Sequence, residues 1–496
     1  MMLIACVLIY MAATVAVGLY ASSRVKDSKD FMVAGRSLPL YMNFACVFAT
    51  WFGAETVLSV SARFAHHGMG FVSGDPFGAS LCLVLVALFF ARTFYRMELL
   101  TIGDYYHLRY GKTVEIITSL AIASSYLGWT SAQLSALGLV TNVLFPGITL
   151  NQSIMIGAVI VTIYTMFGGM WSVALTDVIQ TAAIVFGLIF VAFFLGGHAG
   201  GYENVIKHAY DAGKLDLFPH VKVAAWMAFI GEFLTMALGS IPQQDVFQRV
   251  TSAKNERTAT IGTLGGGLFY FAFAFVPMFI AYAAMVIDPA AASHFQSEDS
   301  REVQKVLPTL VLNKTPIWCQ VLFFGAVLSA ILSTASGTLL APSSILVENV
   351  LQPLTKHFDD KRMLRLLRGI LVIVAVVSTT ISCNSNATMY EMVEAGYSVT
   401  LVVAFVPLVF GIYWSRAKTQ GAVFSILFAL PAWLVTKYTI HDDTSEVIWQ
   451  CMPPQLYGLA ASLVGMIMGS LMPNWIQHRQ GDPAALAARR SVSGGH

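Results

Sequence analysis

The chain has 496 residues, a net charge of +2 from 29 Lys and Arg against 27 Asp and Glu, 56% apolar residues and 11% charged ones. Soluble proteins carry about a quarter charged residues, so this composition excludes a water-soluble fold, and the lack of a long basic run excludes nucleic acid as a partner. Crossing a bilayer as a helix takes about 20 mainly apolar residues, because lipid offers no partner to backbone N–H and C=O groups.

Apolar runs bounded by charge, Gly or Pro place about thirteen spans, near residues 2–22, 39–62, 71–92, 113–144, 149–168, 170–196, 223–248, 258–287, 317–348, 366–384, 387–413, 419–437 and 448–473. Span 1 lacks the basic n-region of a signal peptide and is too long for an h-region, so it is expected as a retained helix. Span 2 contains Phe-Ala-Thr-Trp-Phe-Gly-Ala-Glu (Phe48 to Glu55), and span 7 contains Leu-Gly-Ser-Ile-Pro-Gln-Gln-Asp (Leu238 to Asp245). Taken alone, Gly239 and Pro242 are equally explained as a kink in a packed helix. Acidic residues at both interruptions favour a pair of broken helices, the sequence pointer to an inverted-repeat site at mid-membrane. The expected fold is all-α and integral to the membrane, with a five-plus-five inverted-repeat core made of spans 2–6 and 7–11. Residues 1–473 form a single domain, and the charged, Ala-rich stretch 474–496 is expected to be a disordered tail.

An ionised carboxylate at the bilayer centre costs at least about 2.5–3.5 kcal/mol, so it must face protein, water or an ion. Glu55, Asp75, Asp177, Glu232, Asp245, Glu391 and Glu394 all fall in or at the ends of spans, with Glu391 and Glu394 expected to be solvated near an interface. Span 9 carries Ser333, Thr334, Ser336 and Thr338. Several of these hydroxyls share a helix face, where they suit either a small hard cation or ordinary helix packing. The six cysteines are scattered without metal-ligand spacing and are expected in the core. His66-His67 is read as a solvated turn, and Gly111-Lys112-Thr113 is no phosphate loop, because Tyr106 stands where the first Gly is required. No nucleotide partner is expected.

About 21 of the 29 Lys and Arg lie on one side of the alternating spans, in 22–38, 92–112, 249–257, 349–368, 414–418 and the tail. That bias places the N-terminus outside and the C-terminus in the cytoplasm of a cell membrane. Asn151, Asn313 and Asn386 each begin an N-x-S/T triplet on the expected outer side.

At this point several motifs converge. Asp30-Phe31-Met32-Val33-Ala34-Gly35-Arg36-Ser37-Leu38-Pro39 precedes span 2, Thr101-Ile102-Gly103-Asp104-Tyr105-Tyr106 with Arg109-Tyr110-Gly111-Lys112 follows span 3, and Gly168-Gly169 leads to Thr176-Asp177-Val178-Ile179-Gln180. Together they resemble the sodium/solute symporter family over essentially the whole chain apart from the tail. The resemblance implies a sodium ion bound by backbone carbonyls of Ala49, Phe52 and Ala330 and by hydroxyls of Ser333 and Thr334. Some relatives hold a second sodium, which here would use Asp177, Ser333 and Ser336, although Gly337 replaces a further hydroxyl.

Among branches, Ala49-Thr50-Trp51, Trp129 with Ser135-Ala136-Leu137-Gly138, and Ile241-Pro242 leading to Phe247-Gln248-Arg249-Val250 are similar to choline-type carriers. Those hold a quaternary ammonium against aromatic faces. Gln243, Ala79 and Val393 stand at three of the aromatic positions, which argues against choline itself as the solute. The expected substrate set is Trp51, Glu55, Asp75, Trp129, Gln243 and Gln244, suited to a small polar solute with donor groups, an amine or another cation. The reading is therefore a sodium-coupled symporter and not an enzyme, since neither His-Glu-x-x-His nor Gly-x-Ser-x-Gly occurs. Proton coupling through Asp177 or Glu55 is the rival within transport. A membrane sensor is the rival outside it, for which about twenty residues after span 13 are too few to make a signalling domain.

Overall fold

Backbone groups in lipid must be satisfied within their own segment, and the apolar runs all fold as helices. A computed structural model describes residues 2–219, 222–289, 300–354, 359–442 and 444–476. Among these the only β-type pairing is the isolated bridge between Leu38 and Ala253. The expected tail falls outside the described residues from 477 onward.

Nine helices among the described residues are long and apolar enough to cross a bilayer, or eleven when each of two bent pairs is taken as one span. The bent pairs are Leu40–Trp51 with Glu55–His67, at 53°, and Val223–Gly239 with Gln244–Ser252, at 43°. These are spans 2 and 7, broken where the sequence placed the interruptions. Lys112–Leu144 is a further 33-residue helix, span 4. Leu150–His198 is two helices meeting at Gly169, whose φ of 51° and ψ of −141° belong to no helix. Any side chain at position 169 would also meet the Phe31 carbonyl at 2.5 Å. Spans 5 and 6 thus divide at this glycine, and the expected number of spans is recovered. The fold is the five-plus-five inverted repeat, with one broken helix opening each half.

Span 9 (Ile317–Leu351) runs through the middle, and every residue from Ala326 to Ile345 is buried. It packs on spans 4, 5, 6 and the first half of span 2. The periphery carries exposed Ile9, Phe186, Phe193 and Val376, as a lipid-facing surface requires.

A short helix, Ile102–Tyr110, holds one end of the bundle. It begins with a capping box of Thr101 and Asp104. The hydroxyls of Tyr106 and Tyr110 donate to the carbonyls of Ala404 and Pro407 at 2.8 Å, and Tyr105 donates to Leu408 at 3.2 Å. These acceptors lie in and after the wide turn Leu401–Phe405 of span 11, where helical pairing is loosened. Asn349, near the end of span 9, donates to Asp104 at 2.9 Å and to Glu115 at 3.0 Å. Spans 4, 9 and 11 are thereby tied to one small element.

Candidate ion and solute site

The first half of span 2 ends with a bond from the Phe52 N–H to the Phe48 carbonyl. Phe52 itself is non-helical, at φ −86° and ψ 73°. Carbonyls of the last turn consequently have no partner further along their own helix. One of them, Ala49, lies 3.4 Å from the Thr334 hydroxyl of span 9. Two oxygens that share an ion at about 2.4 Å and at right angles stand about 3.4 Å apart, the ligand distance being that of oxygen-bound calcium. Phe52, Ala330, Ser333 and Thr334 are all fully buried. Ser333 donates to Asp177 Oδ1 at 2.6 Å, and Ser336 turns back to the Ser333 carbonyl at 2.8 Å.

Glu55 starts the second half of span 2 and folds back over Gly53, where a Cβ would meet its Oε2 at 2.4 Å. Its carboxyl accepts from Trp129 Nε1 at 3.0 Å and from Gln133 Nε2 at 2.5 Å. Gln133 in turn accepts from the Ala54 N–H at 3.1 Å, so span 4 braces the break. Asp75 accepts from the Tyr270 hydroxyl and from Thr56 Oγ1, the latter at 2.8 Å.

At the other break, Gln243 Nε2 donates to Ser125 at 3.0 Å and to Thr400 at 3.2 Å, linking spans 4, 7 and 11. Gln244 accepts from the Ile102 N–H at 2.8 Å, which directs it to the start of the Ile102–Tyr110 helix. Asp245 accepts from the Tyr126 hydroxyl through Oδ1, and its own N–H donates back to that hydroxyl at 2.8 Å. Its Oδ2 is buried without a partner.

Four rings fill the space between the breaks. Trp51 stacks on Tyr397 (6.2 Å, 13°), Trp129 meets both edge-on (6.1 Å and 5.6 Å), and Tyr126 stacks on Trp129 (6.1 Å, 17°). Each carboxyl at a break is hydrogen-bonded to a member of this set: Glu55 to Trp129, Asp245 to Tyr126. Tyr126 and Tyr397 were missed in the sequence. Tyr126 sits three residues before Trp129, on the same helix face, which was a usable signal. Tyr397 arrives from span 11 with no local sign.

A family model, the sodium:solute symporter family, matches residues 31–428. The chain belongs to the sodium:solute symporter family. Its relatives include the human high affinity choline transporter 1, 29% identical over 442 residues covering 85% of this chain and 74% of that one. The osmoregulated proline transporter OpuE of Bacillus subtilis is 23% identical over 92% of this chain and 93% of its own. Among solved structures, a substrate-bound, outward-open sodium-coupled sialic acid symporter matches at a TM-score of 0.80, 20% identity and 97% and 99% coverage. Mhp1, a nucleobase-cation-symport-1 family transporter, matches at 0.59 with 15% identity over 93% and 98%. This symporter is therefore a multi-pass membrane transporter that couples a small solute to sodium, and not an enzyme.

Within the symporter one further residue stands out. Arg249, at the end of the broken seventh span, is 2% exposed. Its Nε and Nη2 donate to Thr50 Oγ1 at 3.2 and 2.9 Å, and Nη1 is 3.5 Å from the Asp245 carbonyl. Among the described residues no carboxylate oxygen comes within 4.0 Å of it.

Proposed function

We propose that this symporter imports a small polar organic solute, an amine or another organic cation, by alternating access across the cell membrane, with its N-terminus outside and its C-terminus in the cytoplasm. Support for a cation comes from one observation above all: a set of four aromatic rings is flanked by a carboxyl at each helix break, Glu55 and Asp245. Ring faces and carboxylates both attract positive charge, and both are worth more where water is excluded. Glu55, Asp75, Asp177 and Asp245 are all buried carboxyls, and Arg249 carries the one buried guanidinium among the described residues, a balance that favours cationic ligands further. The solute-binding residues are Trp51, Glu55, Trp129 and Asp245, with Asp75, Gln243 and Gln244 shaping the breaks around them.

The sodium ion is held by the carbonyls of Ala49, Phe52 and Ala330 and the hydroxyls of Ser333 and Thr334. The 3.4 Å approach of Thr334 to Ala49 supports this assignment. Sodium there joins the first half of span 2 to span 9, which fixes the break that presents Trp51 and Glu55 to the solute. Both ligands stabilise one arrangement of the break, so each tightens binding of the other by the same factor.

Uptake into proteoliposomes at fixed pH, screened over amines, amino acids, sugars and carboxylates, tests the reading. A sodium gradient is expected to drive accumulation of a cation from this panel. Accumulation driven by a proton gradient and indifferent to sodium would replace it with proton coupling through Asp177 or Glu55.

A further inference from the structure

At the end of the bundle that the proposed orientation turns outward, a second group of charged and aromatic residues lies apart from the site described above. Arg63, in the second half of span 2, bonds through Nη2 to Glu232 Oε1 of span 7. Its guanidinium carbon also lies 4.7 Å from the ring centroid of Tyr390, at the start of span 11. The other carboxylate oxygen, Glu232 Oε2, accepts from the Tyr390 hydroxyl at 3.3 Å and lies 3.5 Å from Ser73 Oγ. A carboxylate and a ring face that converge on one guanidinium make a recognition site for an organic cation, and here the protein supplies the cation itself. Arg63 follows Glu55 on span 2, and Tyr390 precedes Tyr397 on span 11, by about two helical turns in each case, or about 11 Å along the helix.

Cavities of about 400 and 690 Å³ flank the ion pair, the volume of small-molecule sites. The first is lined by Ser59, Arg63, Gln304 and Glu391, the second by Arg63, Phe229 and Glu232, and exposed Phe71 borders both. Arg63 therefore has space on either side into which it can swing. Its departure leaves Glu232 Oε1 without its ion-pair partner, while Tyr390 still orients the carboxylate through Oε2. Separating a partly buried ion pair is costly, and an arriving organic cation relieves that cost where a neutral molecule does not.

We infer that Glu232 and Tyr390 form an outer receiving site for an organic cation, which Arg63 fills while the path is closed and yields to the solute on entry. Spans 2, 7 and 11 carry both this site and the residues Trp51, Asp245 and Tyr397 below it, so the exchange of cations and the opening of the path involve the same helices. The inference rests on the reading of the solute as an organic cation, and its test does not depend on what the ring set around Trp51 holds.

Equilibrium binding of radioactive methylguanidinium to the purified full chain, in saturating sodium and at constant ionic strength, counts the bound cations. The wild-type chain is expected to hold one more than Glu232→Gln, a difference that isolates the outer ion. Equal counts in the two folded proteins would overturn the inference, because Arg63 then never gives up its place. Excess methylurea, neutral and of similar shape, is expected to leave the outer ion bound; displacement by it overturns the selection for charge. In Arg63→Ala no side chain competes, so the outer ion is expected to bind at least about tenfold more tightly than in the wild type. An unchanged affinity there overturns exchange with Arg63, and this comparison decides the matter should Glu232→Gln not fold. Accumulation of none of the organic cations in the uptake panel is the separate failure of the solute reading.

Discussion

Ser333 is the proposed sodium ligand that also bonds directly to a buried carboxyl. Its hydroxyl donates to Asp177 at 2.6 Å, which leaves the oxygen's lone pairs for a cation. Removing one oxygen from a five-oxygen set forfeits a charge-assisted contact, of order 1.5–3 kcal/mol. Ser333→Ala is accordingly expected to raise the sodium concentration that half-stabilises the protein by about tenfold or more, read as a melting temperature against sodium. An unchanged midpoint would remove Ser333 from the site. Glu55 is the corresponding test for the solute. In Glu55→Gln the Trp129 and Gln133 donors face a neutral amide, half of which is itself a donor. Binding of a cationic solute should weaken at least about tenfold, while binding of sodium alone shifts far less. Equal losses of both would mean that Glu55 merely holds the break in shape.

At the scale of elements, the breaks are built from missing partners as much as from flexible residues. Span 2 gives up helical pairing after Phe52, and Ala54 recovers an acceptor from Gln133. Span 7 resumes at Gln244, and the Ile102 N–H takes that side chain as its acceptor. Such substitutes are required because lipid supplies none. The join between spans 5 and 6 is stricter. Gly169 has φ of 51° and a carbonyl 2.5 Å from any added Cβ, so Gly169→Ala combines a strained backbone with a clash. It is expected to lower stability by about 2–3 kcal/mol, seen as a lower melting temperature in detergent; Gly197, which has open space around it, serves as the control. Asn349 is the other structural anchor, since it donates to two buried carboxyls. Asn349→Leu leaves both acceptors short of a donor, and a loss of about 3 kcal/mol or more is expected from the same measurement.

For the whole molecule the question is energy. A membrane potential of about 100 mV gives roughly 2.3 kcal/mol per charge, and a tenfold sodium gradient adds about 1.4 kcal/mol. One sodium therefore suffices for several-hundredfold accumulation of a neutral solute, and a cationic solute gains a second share of the potential. Transport of a cation with one sodium should be electrogenic: an inside-negative potassium diffusion potential raises accumulation in vesicles, and abolishing it lowers accumulation by more than tenfold. Uptake insensitive to potential would contradict the joint movement of two positive charges. Orientation belongs to this scale too, since only an outward N-terminus places the basic loops in the cytoplasm.

What the amino-acid order determined by itself is the set of spans, both interruptions and the division at Gly168-Gly169, and it also named the candidate ligands on spans 2 and 9. Those features are local: apolar length, Gly and Pro, and a carboxyl inside an apolar run each impose a cost in lipid that only a few arrangements relieve. The tertiary structure alone decided that Tyr397 joins Trp51 and Trp129, that Gln244 turns to Ile102, and that Arg249 reaches the space over Gly337. These contacts connect residues far apart in the chain, through helix faces whose facing partners are set by packing, and no periodicity within a single span records which neighbour it will meet.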